Sequence, residues 1–167
     1  MTMMLRPIAL LLFLVLSACS EVTEVPNSGA ANDFKAALKV LRPGMTIAQA
    51  EASSPTLSRL RPDDPSEWDG SIGDVSLYAK FLPDGTLAIG RVGIEGADLS
   101  MDLVPHLTAL HGEPEIIHDT WRSPEDPSLE RSEIKWAFPG DVALIWHSAY
   151  PGDATREAMP PHTVVRL

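Results

Sequence analysis

The feature that most constrains the fold is a strand–turn–strand pattern in the middle of the chain. Apolar and polar residues alternate along Val75–Leu82, so that successive side chains point to opposite faces of a strand. Pro83-Asp84-Gly85 is a strong turn signal, and Thr86–Ile94 continues as a second strand. The pattern predicts an antiparallel hairpin with Val75, Leu77, Ala79 and Phe81 on one face and Ser76, Tyr78 and Lys80 on the other.

Short helices are predicted on both sides of this hairpin. Thr46 and Gln49 form a capping-box pattern at the start of one helix. Asp102 is the expected N-cap of a second helix, and Gly112 ends it. Asp33 is a candidate cap for a further short helical segment. Fifteen prolines and eleven glycines favour short elements. We therefore predict an α+β fold, in which two short helices pack on one face of an antiparallel, hairpin-based sheet.

The two halves of the chain share an order of elements. Helix, strand, long loop and hairpin follow one another in residues 44–97 and again in 98–148, which suggests a tandem duplication. The predicted loops are Arg61–Gly73 and Ser123–Arg131, and the second hairpin turns at Pro139-Gly140-Asp141. Thr163–Leu167 is expected to add only an edge strand.

The N-terminal segment carries a different kind of signal. Arg6 precedes the short apolar run Ile8–Leu16, and Leu16-Ser17-Ala18-Cys19 resembles the lipobox of bacterial lipoproteins. The resemblance implies that residues 1–18 are a cleaved signal peptide and that Cys19 carries acyl chains. An uncleaved anchor or a buried free thiol are the alternatives. Ser20 after the cysteine favours the outer membrane, facing the periplasm. Residues 19–32 are predicted to be a flexible tether and 33–167 a single domain.

Charge and residue spacing narrow the classes of function. The formal net charge of −10 argues against binding nucleic acid, and against binding anionic lipid through the protein surface. His106 and His111 are five residues apart, which does not place two metal ligands on one helix face. Asp102 and His106 have the spacing of a helical pair, but no nucleophile motif accompanies them. We predict no catalytic residue, no metal site and no cofactor.

Aromatic residues give the only candidate for a binding surface. Trp68 lies in a predicted loop between two acidic residues, where burial is difficult to arrange. Exposed tryptophan and tyrosine are common anchors of protein interfaces. We therefore expect Trp68, together with the strand face that bears Tyr78 and Lys80, to contact a protein partner.

Three short motifs resemble a known family. Leu41-Arg-Pro-Gly44-Met45-Thr46, Gly112-Glu-Pro114 and Ile134-x-Trp136-x-Phe138 are similar to motifs of the SmpA/OmlA lipoproteins, the small subunit of the outer-membrane β-barrel assembly machine. The tandem arrangement is also like that of the secreted β-lactamase inhibitor proteins. The first helix departs from the SmpA/OmlA pattern, because Ser54-Pro55 stands where the family has Gly-x-Pro.

Together these features predict a lipid-anchored, non-catalytic protein-binding module. The resemblance implies a role in outer-membrane assembly or envelope integrity. The alternative is an inhibitor or immunity-type protein, whose acidic loops Pro62–Asp69 and Pro124–Glu130 would block a basic cleft of a periplasmic enzyme. An enzyme or a ligand carrier is disfavoured, since the sequence contains no site constellation.

Overall fold

The computed structural model describes residues 28–53, 56–122, 130–148 and 160–167. Its helices and strands, in chain order, are α1 Ser28–Val40, α2 Ile47–Ala52, β1 Leu57–Arg61, β2 Asp64–Ile72, β3 Val75–Phe81, β4 Leu87–Glu95, α3 Ser100–His111, β5 Glu115–Arg122, β6 Glu130–Ala137, β7 Ala143–His147 and β8 His162–Arg166. The α+β class is confirmed.

All strands join one antiparallel sheet in the order β1-β2-β3-β4-β8-β7-β6-β5. The sheet consists of two four-stranded meanders that meet at their last strands, β4 and β8. The two halves of the chain thus form one continuous sheet. The predicted second unit stops at residue 148, whereas the second meander is completed by β8.

The expectation of an edge strand at Thr163–Leu167 is wrong. β8 pairs with β4 on one side and with β7 on the other, which makes it a central strand. Thr163 and Val165 are fully buried on its helix-covered face. The alternation of apolar and polar residues in a short segment shows which side chains are buried. It does not show whether one or two neighbouring strands form hydrogen bonds with the backbone of that segment.

One face of the sheet is covered by helices and contains the core. A row of buried residues crosses the sheet, namely Leu57, Leu77, Val92, Val165 and Leu144, with Gly70 of β2 paired between Leu57 and Leu77. Phe34 of α1, Leu41 directly after it, and Leu103 and Leu107 of α3 complete the same cluster. Burial of these large side chains supplies most of the favourable free energy of folding.

The described residues contain three helices, namely the two predicted at Thr46 and Asp102 and the further segment predicted at Asp33, but α1 begins before its expected N-cap. Asp33 lies inside α1, which starts at Ser28. Residues 28–32 are therefore helix and not tether, because Ala31 is buried in the core and the extra turn is held by packing. The rest of the predicted tether, residues 19–27, lies outside the described residues.

The start of α2 is confirmed in detail, whereas that of α3 differs from the prediction. Gln49 N–H donates to Thr46 Oγ1, and Thr46 N–H donates to Gln49 Oε1, as in a capping box. In contrast, α3 begins at Ser100 and Asp102 lies in its first turn. The N–H of Ser100 donates to Asp98 Oδ1 at 2.9 Å, and Leu99 N–H donates to the hydroxyl of Thr163 in β8, at 3.1 Å.

The segment predicted as a loop at Arg61–Gly73 is mostly strand. Only a short turn follows Arg61 before β2, which is hydrogen-bonded to β1 and β3. Few of its residues favour strands intrinsically, so pairing with two neighbours determines its conformation. Of the second predicted loop, Glu130 and Arg131 begin β6 and residues 123–129 lie outside the described residues.

Candidate functional site

The face of the sheet opposite the core is the candidate site, and we call it the open face. On its β3–β4–β8 part the side chains alternate with those of the core. Tyr78 and Lys80 lie there, as the sequence predicts. The full set in these three strands is Ser76, Tyr78, Lys80, Ile89, Arg91, Gly93, Glu95, His162, Val164 and Arg166.

Trp68 does not belong to this surface, and the expectation that it is exposed is wrong. Its side chain is only 4% exposed, and Trp68 pairs directly with Ala79 on the core face. The indole Nε1–H donates to the carbonyl of Pro65 at 2.8 Å. The guanidinium of Arg59 lies 5.5 Å from the ring centroid. Trp68 is therefore a core residue with its polar atom satisfied.

Lys80 is already engaged by an acidic neighbour. Its ammonium group lies 3.0 Å from the carboxylate of Glu67, directly across the β2–β3 pair. The hydrogen bond and the charge of Glu67 raise the pKa of Lys80. The charge of Lys80 is therefore already paired with Glu67 and is not available to a ligand on the open face.

Arg91 and Arg166 are the distinctive residues of the open face. They are directly opposite each other across β4 and β8, and both are exposed. Neither guanidinium makes a hydrogen bond or an ion pair with any residue in the described ranges. Two like charges at directly opposed positions destabilise a sheet by about 0.2–1 kcal/mol. Tyr78 flanks Arg91 on the other side, so the three side chains form one cross-strand row.

Two shallow grooves adjoin this row and share Ile89 and Arg91. The first, of about 380 Å³, is lined by Tyr78, Lys80 and Val164 among others. The second, of about 500 Å³, extends along Arg166 and Leu167. Ile89 is 39% exposed between them. The surface thus combines exposed apolar area with two arginines that lack an acidic partner among the described residues.

The open face is less accessible in the second half of the sheet. Ile145 of β7 is only 1% exposed although it points away from the helices, and Ala143 and Arg131 are also buried. The open face is therefore accessible over β3, β4 and β8 and again at the outer strand β5, where Ile117 is 39% exposed, but not over β7. The sequence analysis missed Arg91 and Arg166, which are 75 residues apart. It predicted β8 as an edge strand and therefore gave no indication that β8 pairs with β4.

A pair of histidines lies on the open face, separated from the arginine row by the row that contains Gly93 and Val164. His147 and His162 are directly opposed across β7 and β8, with ring centroids 4.4 Å apart. His147 Nδ1 is 3.3 Å from a carboxylate oxygen of Glu133. Burial, then the neighbouring His162 and Arg131, lower the pKa of His147 to about 4. Burial and Arg131 lower the pKa of His162 as well.

These histidines do not form a metal centre with their neighbours. Within the described ranges, no group of three or more histidine, cysteine, aspartate or glutamate side chains is placed to hold a metal ion. His106 lies on α3, which covers the other face of the sheet. His118 lies on the outer strand β5, which β6 separates from β7. The pair is best explained as two neutral imidazoles that stack at neutral pH.

The histidine pair predicts a pH dependence of stability. The unfolded chain binds a proton on His147 near pH 6.5, whereas the folded domain does so only near pH 4. Because the unfolded state takes up more protons between these values, the free energy of unfolding should fall as the pH is lowered from about 6.5 towards 4. Urea unfolding of the full chain between pH 8 and pH 4.5 measures this. His147→Gln should show a shallower decrease.

The comparison at pH 8 is the control for this prediction. There both imidazoles are neutral, so the difference between parent and His147→Gln reports packing alone. If the two proteins lost stability equally between pH 6.5 and pH 4.5, His147 would not be the group responsible.

Searches of family models, curated protein sequences and solved structures return no match to this chain. In the part of the chain that the structure describes, none of the three helices is both long enough and apolar enough to cross a membrane. The site must therefore be interpreted from its own geometry, in which an accessible sheet face presents an aromatic residue, exposed apolar residues and two adjacent arginines.

Proposed function

We propose that this chain is a lipid-anchored envelope lipoprotein whose domain binds another protein, without catalysis, through the open face of its sheet. The observation that carries the proposal is the one-sided covering of the sheet at β3, β4 and β8. Helices and core occupy one face, while the other presents Tyr78, Ile89 and Val164 beside Arg91 and Arg166.

The composition of this surface is typical of a protein interface. Tyrosine and arginine are enriched among residues that dominate binding energy, and exposed apolar side chains add buried area. The strands that carry them are fixed by the core below, since Leu77, Val92 and Val165 are buried on the opposite side of the same strands. A rigid sheet loses little conformational entropy when it docks against a partner.

The anchor part of the proposal depends on Cys19. Acylation at two or more positions would hold the chain permanently at a membrane. The nine residues Cys19–Asn27 that precede α1 can span at most about 32 Å, at about 3.6 Å per residue. The domain would therefore work close to the bilayer, which suits a role in outer-membrane protein assembly or envelope integrity.

The inhibitor alternative has less support. One of its two acidic loops, Pro62–Asp69, is mostly the ordered strand β2. In that segment Trp68 is buried, and Glu67 is held by Lys80. Most of the other, Pro124–Glu130, lies outside the described residues. No observation in the described part of the chain favours blocking of a basic cleft.

Position-specific photo-cross-linking tests the docking surface. A benzoyl-phenylalanine would replace Tyr78 on the open face or, as the matched control, Met101 on α3, which is 87% exposed. In intact envelopes we expect a discrete protein adduct from position 78 and none from position 101. Equal adducts from both positions, or an adduct from position 101 alone, would contradict docking through the open face.

Labelling with palmitate tests the anchor separately. The parent chain should incorporate label and sediment with membranes, whereas Cys19→Ala should do neither. Recovery of outer-membrane barrel components with the parent and their loss with Cys19→Ala would support the assembly role. Incorporation of palmitate into Cys19→Ala would show that another group is acylated.

A further inference from the structure

We propose that Arg91 and Arg166 form a carboxylate-binding site, which receives a single acidic side chain of the docking protein. The inference rests on the proposed function and specifies the chemistry of the partner. It follows from the placement of the two guanidinium groups, from their charged surroundings and from the apolar residues beside them.

The first argument is that neither guanidinium forms an ion pair with a described residue, although Asp141 lines the same groove beyond ion-pair distance. The chain has 23 acidic and 13 basic residues, so acids are available to pair with most cations. Arg59, Arg61, Lys80 and Arg122 each contact a glutamate. Arg91 and Arg166 have no such partner among the described residues and instead face each other. A bound carboxylate would remove the repulsion that this arrangement creates.

The second argument is geometric. Strands in a sheet are about 4.8 Å apart, so directly opposed arginines can direct both planar forks at one point above the sheet. A guanidinium binds a carboxylate with two parallel hydrogen bonds. Tyr78 lies directly beside Arg91, and its hydroxyl group can add a donor at the same point. Ile89 lines the groove next to this row.

The third argument concerns the class of ligand. Acidic residues surround the arginine pair on the open face, because Asp69 follows Tyr78 in the same row and Glu67 holds Lys80. Glu95 lies further along β4. An extended polyanion or an anionic bilayer would meet these acids, whereas one carboxylate on an otherwise apolar segment would not. The surroundings therefore favour an acidic side chain of a protein.

A peptide titration tests this inference. The full chain, kept in neutral detergent, is titrated against a fluorescein-labelled peptide of valine and serine with one central glutamate, and against the matched peptide with glutamine at that position. We expect the glutamate peptide to bind about tenfold more tightly, which corresponds to one charge-assisted site. The double substitution Arg91→Gln and Arg166→Gln should abolish the difference. Arg42→Gln, at an exposed arginine outside the open face, should preserve it.

A second measurement checks that the substitutions do not act by unfolding the domain. Arg166→Gln alone should raise the midpoint of urea unfolding, because it relieves the repulsion with Arg91. Equal binding of the two peptides, or a preserved difference in the double variant, would overturn the carboxylate site. Displacement of the glutamate peptide by millimolar inorganic phosphate would show a general anion site and would also overturn it. Cross-linking from position 78 would still decide the proposed function independently.

Discussion

Trp68→Ala is expected to destabilise the domain by about 3–5 kcal/mol, the usual cost of removing a large aromatic side chain from a core. The indole is almost fully buried and lies over β3, where Trp68 pairs with Ala79. The substitution would leave a cavity, and the carbonyl of Pro65 would lose the hydrogen bond that the indole donates. Urea unfolding of the full chain, followed by circular dichroism, measures the change in the free energy of unfolding.

Two further variants separate the packing of Trp68 from its hydrogen bond and from its location. Trp68→Phe keeps most of the buried area and should cost about 1 kcal/mol for the lost hydrogen bond, plus a smaller packing loss. Tyr78→Ala, on the open face, should cost less than Trp68→Ala. A stable Trp68→Ala protein with impaired partner binding would instead support the original expectation that Trp68 is an exposed anchor.

Trp68 lies on β2, which was predicted as a loop, whereas the neighbouring β3–β4 hairpin was predicted correctly. The comparison shows which elements can be predicted from local sequence alone. The hairpin of β3 and β4 follows from strict alternation and a turn signal, both of which are local. β2 has neither, since Asp64, Pro65 and Gly70 are poor strand formers. Its conformation depends on hydrogen bonds with β1 and β3, which are tertiary information.

The candidate site was predictable only in part for the same reason. Tyr78 and Lys80 are assigned to one face by the alternation of β3 alone. The arginine row requires the pairing of β4 with β8, two strands that are far apart in the sequence. The start of α3 differs for a local reason, because Asp98 rather than Asp102 accepts hydrogen bonds from the N–H and the hydroxyl of Ser100 at the first helical residue. Only the missed arginine row traces back to the central position of β8.

Gly70→Ala should show how closely β1 and β2 depend on contacts that the sequence does not reveal. A Cβ atom at Gly70 would overlap the backbone carbonyl of Thr56 and approach the Cα of Leu57. Because both are backbone groups next to or within β1, they cannot move without disturbing the β1–β2 pairing. We expect a loss of about 3 kcal/mol or more, at the upper end of the usual cost of overpacking, measured by urea unfolding.

Gly90→Ala and Gly29→Ala are the matched controls for this prediction. At Gly90 the added methyl group meets mainly the side chains of Leu167, at 3.1 Å, and Leu87, which can adjust, so a smaller loss is expected. At Gly29, in the first turn of α1, nothing lies within 4 Å, and the free energy of unfolding should stay within about 0.5 kcal/mol of the parent. If all three substitutions had similar effects, the close approach of β1 to Gly70 would not exist in solution. The expected order, Gly70 far above Gly90 and Gly90 above Gly29, instead follows from what the new methyl group touches: backbone, side chain or solvent.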